Sequence, residues 1–146
     1  MNQPLTQKLL FSICVYFSAT LGFAQPAFQW ATRIGGASVD QGFSIAVDAA
    51  GNVYETGTFA GTVDFDAGPG IFNMTAAGGT QDIFIVKLSP LGNLIWAKQF
   101  AGNGFNDNPK SIFVDAAGNV YSTGSFGGFG GGTTDFDPGA GIFNLI

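Results

Sequence analysis

Residues 48–54 read Asp-Ala-Ala-Gly-Asn-Val-Tyr, and the same letters return in the same order at residues 115–121. The two copies also match outside this stretch. Residues 56–59, 64–66 and 70–73 correspond to residues 123–126, 135–137 and 141–144. A long period of this kind is typical of repeat architectures, in which like units stack and bury one another's faces. A feature present in both copies is therefore expected to build the unit rather than to carry an activity.

Each copy has the pattern of short strands joined by tight turns. In the first copy, apolar, β-branched and aromatic residues mark strands at 44–47, 53–59, 82–88 and 94–100. Gly51 can take the positive φ that closes the turn at 48–52. No segment has helical spacing over three turns, and glycine is too frequent for long helices. We predict an all-β chain built of four-stranded antiparallel β-propeller blades.

The ends of the chain suggest an incomplete propeller. Residues 28–36 resemble residues 94–102, with Trp30 corresponding to Trp96, so we predict an orphan fourth strand at 28–36. Repeat one is placed at 42–102 and a partial repeat two at 109–146, which stops before its own third and fourth strands. A glycine-rich insertion at 127–132 lengthens the second copy and is expected in a surface loop. About one and a half repeats are therefore present in the 25–146 region.

The first 24 residues have the three-part pattern of a secretory signal. A polar start ends in Lys8, an apolar run follows at 9–23, and the small residues Gly22 and Ala24 precede the cleavage site expected after Ala24. The alternative, a transmembrane anchor, is disfavoured because the run is shorter than the ~20 residues that span a bilayer. We expect a mature chain that begins at Gln25 and is secreted or displayed on the cell surface, with the periplasm as an alternative location.

Composition excludes several classes of function. The chain has no histidine, and its only cysteine, Cys14, is lost with the signal segment. Histidine-activated nucleophiles, thiol chemistry and disulfides are therefore excluded from the mature protein. Ten acidic residues outnumber the basic ones, so the surface should repel nucleic acid and anionic lipid. No membrane span is expected after cleavage.

The repeated motifs resemble the bacterial β-propeller repeats called SBBP. The resemblance rests on the hairpin at 48–54, the Asp-Phe-Asp-x-Gly loop at 64–68, and the strands at 82–88 and 93–98. It implies an exported protein, of a kind that is common in Bacteroidota and mostly lacks an assigned activity. A closed propeller has 4–8 blades, so the resemblance also implies further blades.

The only paired carboxylates are Asp64 with Asp66 and Asp135 with Asp137. Acid–base catalysis on a glycoside would need two carboxyls in different environments, but the pair recurs in both copies, which argues against it. Calcium is the second alternative, although the spacing is not that of an EF-hand and backbone carbonyls would have to complete the site. The third is structural: the aspartates cap turn amides around buried Phe65 and Phe136.

We therefore expect an exported, non-catalytic binding or scaffold module, a fragment of a longer protein, with no catalytic residues and no cofactor unless the four aspartates bind calcium. Expected partners are missing blades, from a longer chain or from other copies, and an extracellular protein or glycan ligand. Trp30 and Trp96 are expected to pack between blades rather than to stack on sugars. Two alternatives stay open: the N-terminal part of a secreted carbohydrate-active enzyme, and a complete chain that self-associates into a ring.

Overall fold

The computed structural model describes residues 28–104, 107–127 and 132–145. Within these ranges the chain forms ten strands and one 3-10 turn, Ala77–Gly79. The strands are β1 (Gln41–Val47), β2 (Val53–Ala60), β3 (Thr62–Asp64), β4 (Asn73–Thr75), β5 (Gln81–Leu88), β6 (Leu94–Phe100), β7 (Asn108–Val114), β8 (Val120–Ser125), β9 (Thr134–Asp135) and β10 (Asn144–Leu145). The predicted signal segment 1–24, the expected start at Gln25 and most of the glycine-rich insertion lie outside the described residues.

The first repeat is one four-stranded antiparallel sheet with the order β1-β2-β5-β6. This confirms the predicted blade and the all-β, incomplete-propeller fold class. β1 begins at Gln41, earlier than predicted, because a bulge between Gly42 and Ser44 lets the strand continue its pairing with β2. The excursion between β2 and β5 contains a separate hairpin, β3–β4, which was not predicted as strands.

The repeated turn folds the same way in both copies. Oδ1 of Asp48 accepts hydrogen bonds from the N–H groups of Ala50 at 3.0 Å and Asn52 at 2.9 Å, and Gly51 has a φ of 82°. Asp115 accepts the equivalent two bonds in the second copy. Asp48 and Asp115 therefore cap the hairpin turns of the two copies in the same way.

Each face of the first blade is covered by a different part of the chain. One face carries a buried cluster around Phe59, Phe84 and Val86, and the loop residue Phe65 packs into it, with its ring centroid 5.1 Å from that of Phe84. The opposite face carries Tyr54 and Ile85, which pack against Ile112. Since Ile112 belongs to β7, the second repeat covers this second face, as neighbouring blades do in a propeller.

In the second repeat, β7 pairs with β8 and β9 pairs with β10. The sheet of β7 and β8 has only these two strands among the described residues. In contrast, β2 of the first repeat is paired on both sides, with β1 and with β5. The outer edge of β8 therefore presents backbone N–H and C=O groups without the ladder that the same sequence pattern has in the first repeat.

We predicted an orphan fourth strand at 28–36, but the structure assigns no strand to these residues. A segment becomes a strand only by hydrogen bonding to a partner strand, and none of the described strands pairs with it. Trp30 and Ile34 instead pack on the Phe59 face of the blade. The indole Nε1 of Trp30 donates to the carbonyl of Pro90 at 2.8 Å.

Candidate functional site

The first Asp-Phe-Asp loop is held together by its own carboxylates. Oδ1 of Asp64 accepts hydrogen bonds from the N–H groups of Asp66 at 3.0 Å and Phe72 at 2.8 Å. Oδ1 of Asp66 accepts one from Gly68 at 2.8 Å. Phe65, between the two aspartates, is completely buried. The carboxylates therefore satisfy turn amides while the phenyl ring anchors the loop to the blade.

The second loop repeats this geometry. Oδ1 of Asp135 accepts from the N–H groups of Asp137 at 2.9 Å and Phe143 at 2.8 Å, and Asp137 accepts from Gly139 at 2.7 Å. The bond from Phe143, followed by that from Asp137, lowers the pKa of Asp135. Phe136 is only half-buried, so this loop is less firmly anchored than the first.

Neither loop gathers a complete set of side-chain ligands for a metal. No group of three or more histidine, cysteine, aspartate or glutamate residues suited to a metal ion occurs in the part of the chain that the structure describes. Calcium at Asp64 and Asp66, or at Asp135 and Asp137, would need backbone carbonyls and water for most of its six to eight oxygen ligands. Calcium binding by these four aspartates stays a prediction.

A polar groove lies between the N-terminal segment and the β1 edge of the blade. It encloses about 280 Å³ and is lined by Arg33, Asp40, Gln41, Glu55 and neighbouring residues. The Glu55 carboxylate lies directly against Gly42, where even a Cβ would collide with it. Burial raises the pKa of Glu55. The groove thus places one guanidinium and two carboxylates around a space that can accept a polar ligand.

A second group of polar residues lies at the junction of the two repeats. Asp82 is completely buried and Asp107 is 3% exposed. Oδ2 of Asp82 accepts from Ala77 N–H and Gln99 Nε2, and its Oδ1 accepts from Gly102 N–H. Burial raises the pKa of both carboxyl groups, and the proximity of Asp107 raises that of Asp82 further. These residues were missed at the sequence level.

A signal for this junction was nevertheless present in the sequence. Asp107 holds the same place before β7 that Asp40 holds before β1, so the aspartate is repeated. Thr134 takes the place of Val63 in the second copy. A polar residue in place of a core residue breaks the repeat at a buried position, and such a break could have drawn attention to the site.

Trp96 packs where it was predicted to pack. Its ring centroid is 6.0 Å from that of Tyr54 in an edge-on arrangement, and both rings belong to the cluster that meets Ile112 of the second repeat. Trp96 is therefore a packing residue between the units.

In the part of the chain that the structure describes, no helix is long and apolar enough to cross a bilayer.

Comparison with known proteins supports the repeat assignment. The family model described as "SBBP: Beta-propeller repeat" matches residues 29–58 and 95–125. Both matches begin at a tryptophan-containing segment and end in the second strand of the following sheet. The chain is also 34% identical over 114 residues to an uncharacterized WD repeat-containing protein, L264, of Acanthamoeba polyphaga mimivirus; the alignment covers 68% of this chain and 8% of that protein.

No solved structure was found to match the chain. The match to a viral protein does not test bacterial origin, relation to Bacteroidota or export. These three stay predictions. The two family matches, together with the blade and its face-to-face contact with the second copy, support the assignment of these repeats to the SBBP β-propeller repeat family.

Proposed function

We propose that the protein is an exported β-propeller repeat module that binds or holds other molecules and performs no reaction of its own. The repeat match and the WD-repeat relative support a binding or scaffold role. The described carboxylates that suggested chemistry, in the Asp-Phe-Asp loops, are used to cap turn amides. The pattern at 1–24 supports export.

The unpaired outer edge of β8 supports the proposal that further blades complete the propeller. β2 and β8 share the same sequence pattern, yet only β2 has a strand on each side among the described residues. In the first repeat, the Phe84 ring lies against Gly57. The equivalent Gly124 instead lines an open apolar cavity of about 270 Å³. A third strand, from a longer chain or from another copy, would fill this cavity and pair with the edge.

The polar groove is the proposed place for an extracellular protein or glycan ligand. Arg33, Gln41 and Glu55 offer donors and acceptors on one wall of the blade. Glu55 is also a break in the repeat, because Ser122 occupies its place in the second copy. A residue that departs from the repeat is a better candidate for ligand recognition than one that builds both units.

The experiment is a screen of the full chain against glycan and extracellular-protein arrays. Glu55→Ser gives the first repeat the residue of the second and should abolish binding to the ligand found. Asp137→Asn removes one negative charge elsewhere and should leave that binding intact. Equal binding by the Glu55→Ser variant would exclude the groove. Cleavage of an arrayed glycan by the wild-type chain would contradict a non-catalytic role.

A further inference from the structure

Two buried oxygen atoms at the junction of the repeats have no hydrogen-bond partner. They are Oδ2 of Asp107 and Oγ1 of Thr134, which with Oδ1 of Asn108 are the three such atoms among the described residues; Asp107 is 3% and Thr134 0% exposed. Both atoms point at the same small space. A Cβ placed on Gly102 would lie 2.8 Å from Oδ2 and 2.9 Å from Oγ1, so only glycine leaves this cradle open. Buried polar atoms without partners are rare in folded proteins and call for an explanation.

The cradle is also strongly acidic. Asp82 accepts the Gly102 N–H at 3.2 Å, so a second buried carboxylate lies next to the space that Asp107 faces. Neither carboxylate forms an ion pair with a lysine or arginine of the described chain. Burying two carboxylates together is costly unless a positive charge lies between them or one of them holds a proton.

The first repeat is an internal comparison in which the same positions are satisfied. Asp40, the equivalent of Asp107, accepts bonds through both oxygens, from Gly36 N–H at 2.7 Å and Ala60 N–H at 3.2 Å. Val63, the equivalent of Thr134, is an apolar core residue. The blade fold therefore does not require side-chain oxygen atoms without partners at these positions, whereas the second repeat has them.

The chemistry of the cradle favours a cation over a water molecule. Its free groups are a carboxylate oxygen and a hydroxyl oxygen, with the Thr133 carbonyl oxygen 3.5 Å from the Gly102 Cβ position. A water molecule would bridge these two groups but would not offset the charge of a deprotonated Asp107. Calcium takes six to eight oxygen ligands in flexible geometry, whereas magnesium dehydrates reluctantly and demands near-ideal octahedral geometry.

We propose that a calcium ion binds in this cradle, held by Asp107 Oδ2 and Thr134 Oγ1 with Asp82 alongside, and that it fastens the second repeat to the first. The ligands come from the start of β7 and from β9, while Asp82 lies in β5 of the blade. The site is distinct from the Asp-Phe-Asp loops and does not depend on the proposed binding of a protein or glycan.

The test is calorimetric titration of the metal-stripped full chain with calcium chloride, paired with thermal unfolding in calcium and in chelator. Wild type should bind and unfold at a temperature higher by about 4 °C or more in saturating calcium. Thr134→Val installs the residue of the first repeat, which suits a buried site, and should weaken binding by about tenfold or more. Asp107→Asn should do the same.

Two controls separate this site from others. Asp40→Asn changes the equivalent aspartate of the first repeat and should leave calcium binding unchanged. The double variant Asp64→Asn, Asp66→Asn should also retain binding at the cradle. A wild-type chain that shows no calcium binding, or Thr134→Val and Asp107→Asn variants that bind as wild type does while retaining its far-ultraviolet circular dichroism, would overturn the proposal.

Discussion

Trp30 reaches across the blade and donates its indole N–H to the carbonyl of Pro90, in the turn between β5 and β6. Its ring also lies against Gly92, where a Cβ would be only 3.0 Å from the indole. Trp96, its equivalent in β6, joins the cluster that contacts the second repeat. The N-terminal segment thus covers one face of the blade much as β6 helps to cover the face of the next unit.

Trp30→Ala should therefore destabilise the protein. The change removes the hydrogen bond to Pro90 and a half-buried ring that packs on the Phe59 cluster, and we expect a loss of about 1–3 kcal/mol in the free energy of unfolding. Urea unfolding of the full chain measures it. Phe28→Ala is the control, because Phe28 is 82% exposed and should change stability little. Equal effects of the two variants would show that Trp30 does not fasten the segment.

Phe65 should matter far more than the exposed residues of the same loop. Phe65→Ala empties a completely buried position against Phe59 and Phe84, at an expected cost of about 3–5 kcal/mol. Ile71→Ala, at a position that is 79% exposed, should have almost no effect. Chemical denaturation of both variants checks this. A tolerated Phe65→Ala would remove the structural explanation of the Asp-Phe-Asp loop.

The blade could be predicted from sequence because its information is local. Strand alternation and the turn around Gly51 recur in both copies, and each is set by neighbours along the chain. The fate of residues 28–36 could not be predicted in the same way. Whether they form a strand depends on a partner strand, which lies outside their own sequence.

The candidate site residues divide in the same way, into those set by local sequence and those set by tertiary packing. The hydrogen bonds of Asp48 and Asp64 are short-range and follow from turn chemistry. The convergence of Asp82 with Asp107 depends on how the second repeat packs on the first. That is a tertiary contact between distant positions: the repeated aspartate and Thr134 in place of Val63 mark the junction in the sequence, but they do not bring the two carboxylates together.

Asp48 should make the hairpin sensitive to acid. The hydrogen bond from the Asn52 side chain, with further bonds from backbone N–H groups and Tyr54, lowers the pKa of Asp48 from 3.8 to about 2. Because the folded-state pKa is depressed, the stabilisation is present above the unfolded pKa and is lost as the pH falls from about 4 to about 2. Asp48→Asn should flatten this part of the stability profile. Urea unfolding from pH 5 to pH 2 measures the difference, and parallel profiles for the two proteins would contradict it.

Calcium binding at the Asp-Phe-Asp loops is separable from binding at the cradle. If both loops bind, changing Asp64 and Asp66 to Asn should lower the calorimetric stoichiometry, and changing Asp135 and Asp137 should lower it again. Their carboxylates already bond to turn amides, so any such sites should be weak. A stoichiometry unaffected by either pair would leave the loops with a purely structural role.

Export makes a simple prediction about the N-terminus. The apolar run at 9–23 and the small residues before Gln25 predict cleavage after Ala24. N-terminal sequencing of protein recovered outside the cytoplasm should therefore begin at Gln25. Recovery of that protein with Met1 in place would show that the segment is not a cleaved signal.

The open edge of β8 predicts that the mature chain, residues 25–146, is not a stable monomer on its own. In the sheet of β7 and β8, Phe113 is 63% and Tyr121 is 56% exposed, and the outer edge of β8 has no partner strand among the described residues. Such edges recruit strands from other molecules. Light scattering should show association that grows with concentration, and hydrogen exchange should show amides of β8 gaining protection while those of β2 stay protected throughout. Thr123→Lys places a charge on this edge strand and should reduce association, whereas Ala116→Lys, in the exposed turn, should not. A single monomeric species with a sharp, cooperative unfolding transition would show that the chain closes its own core.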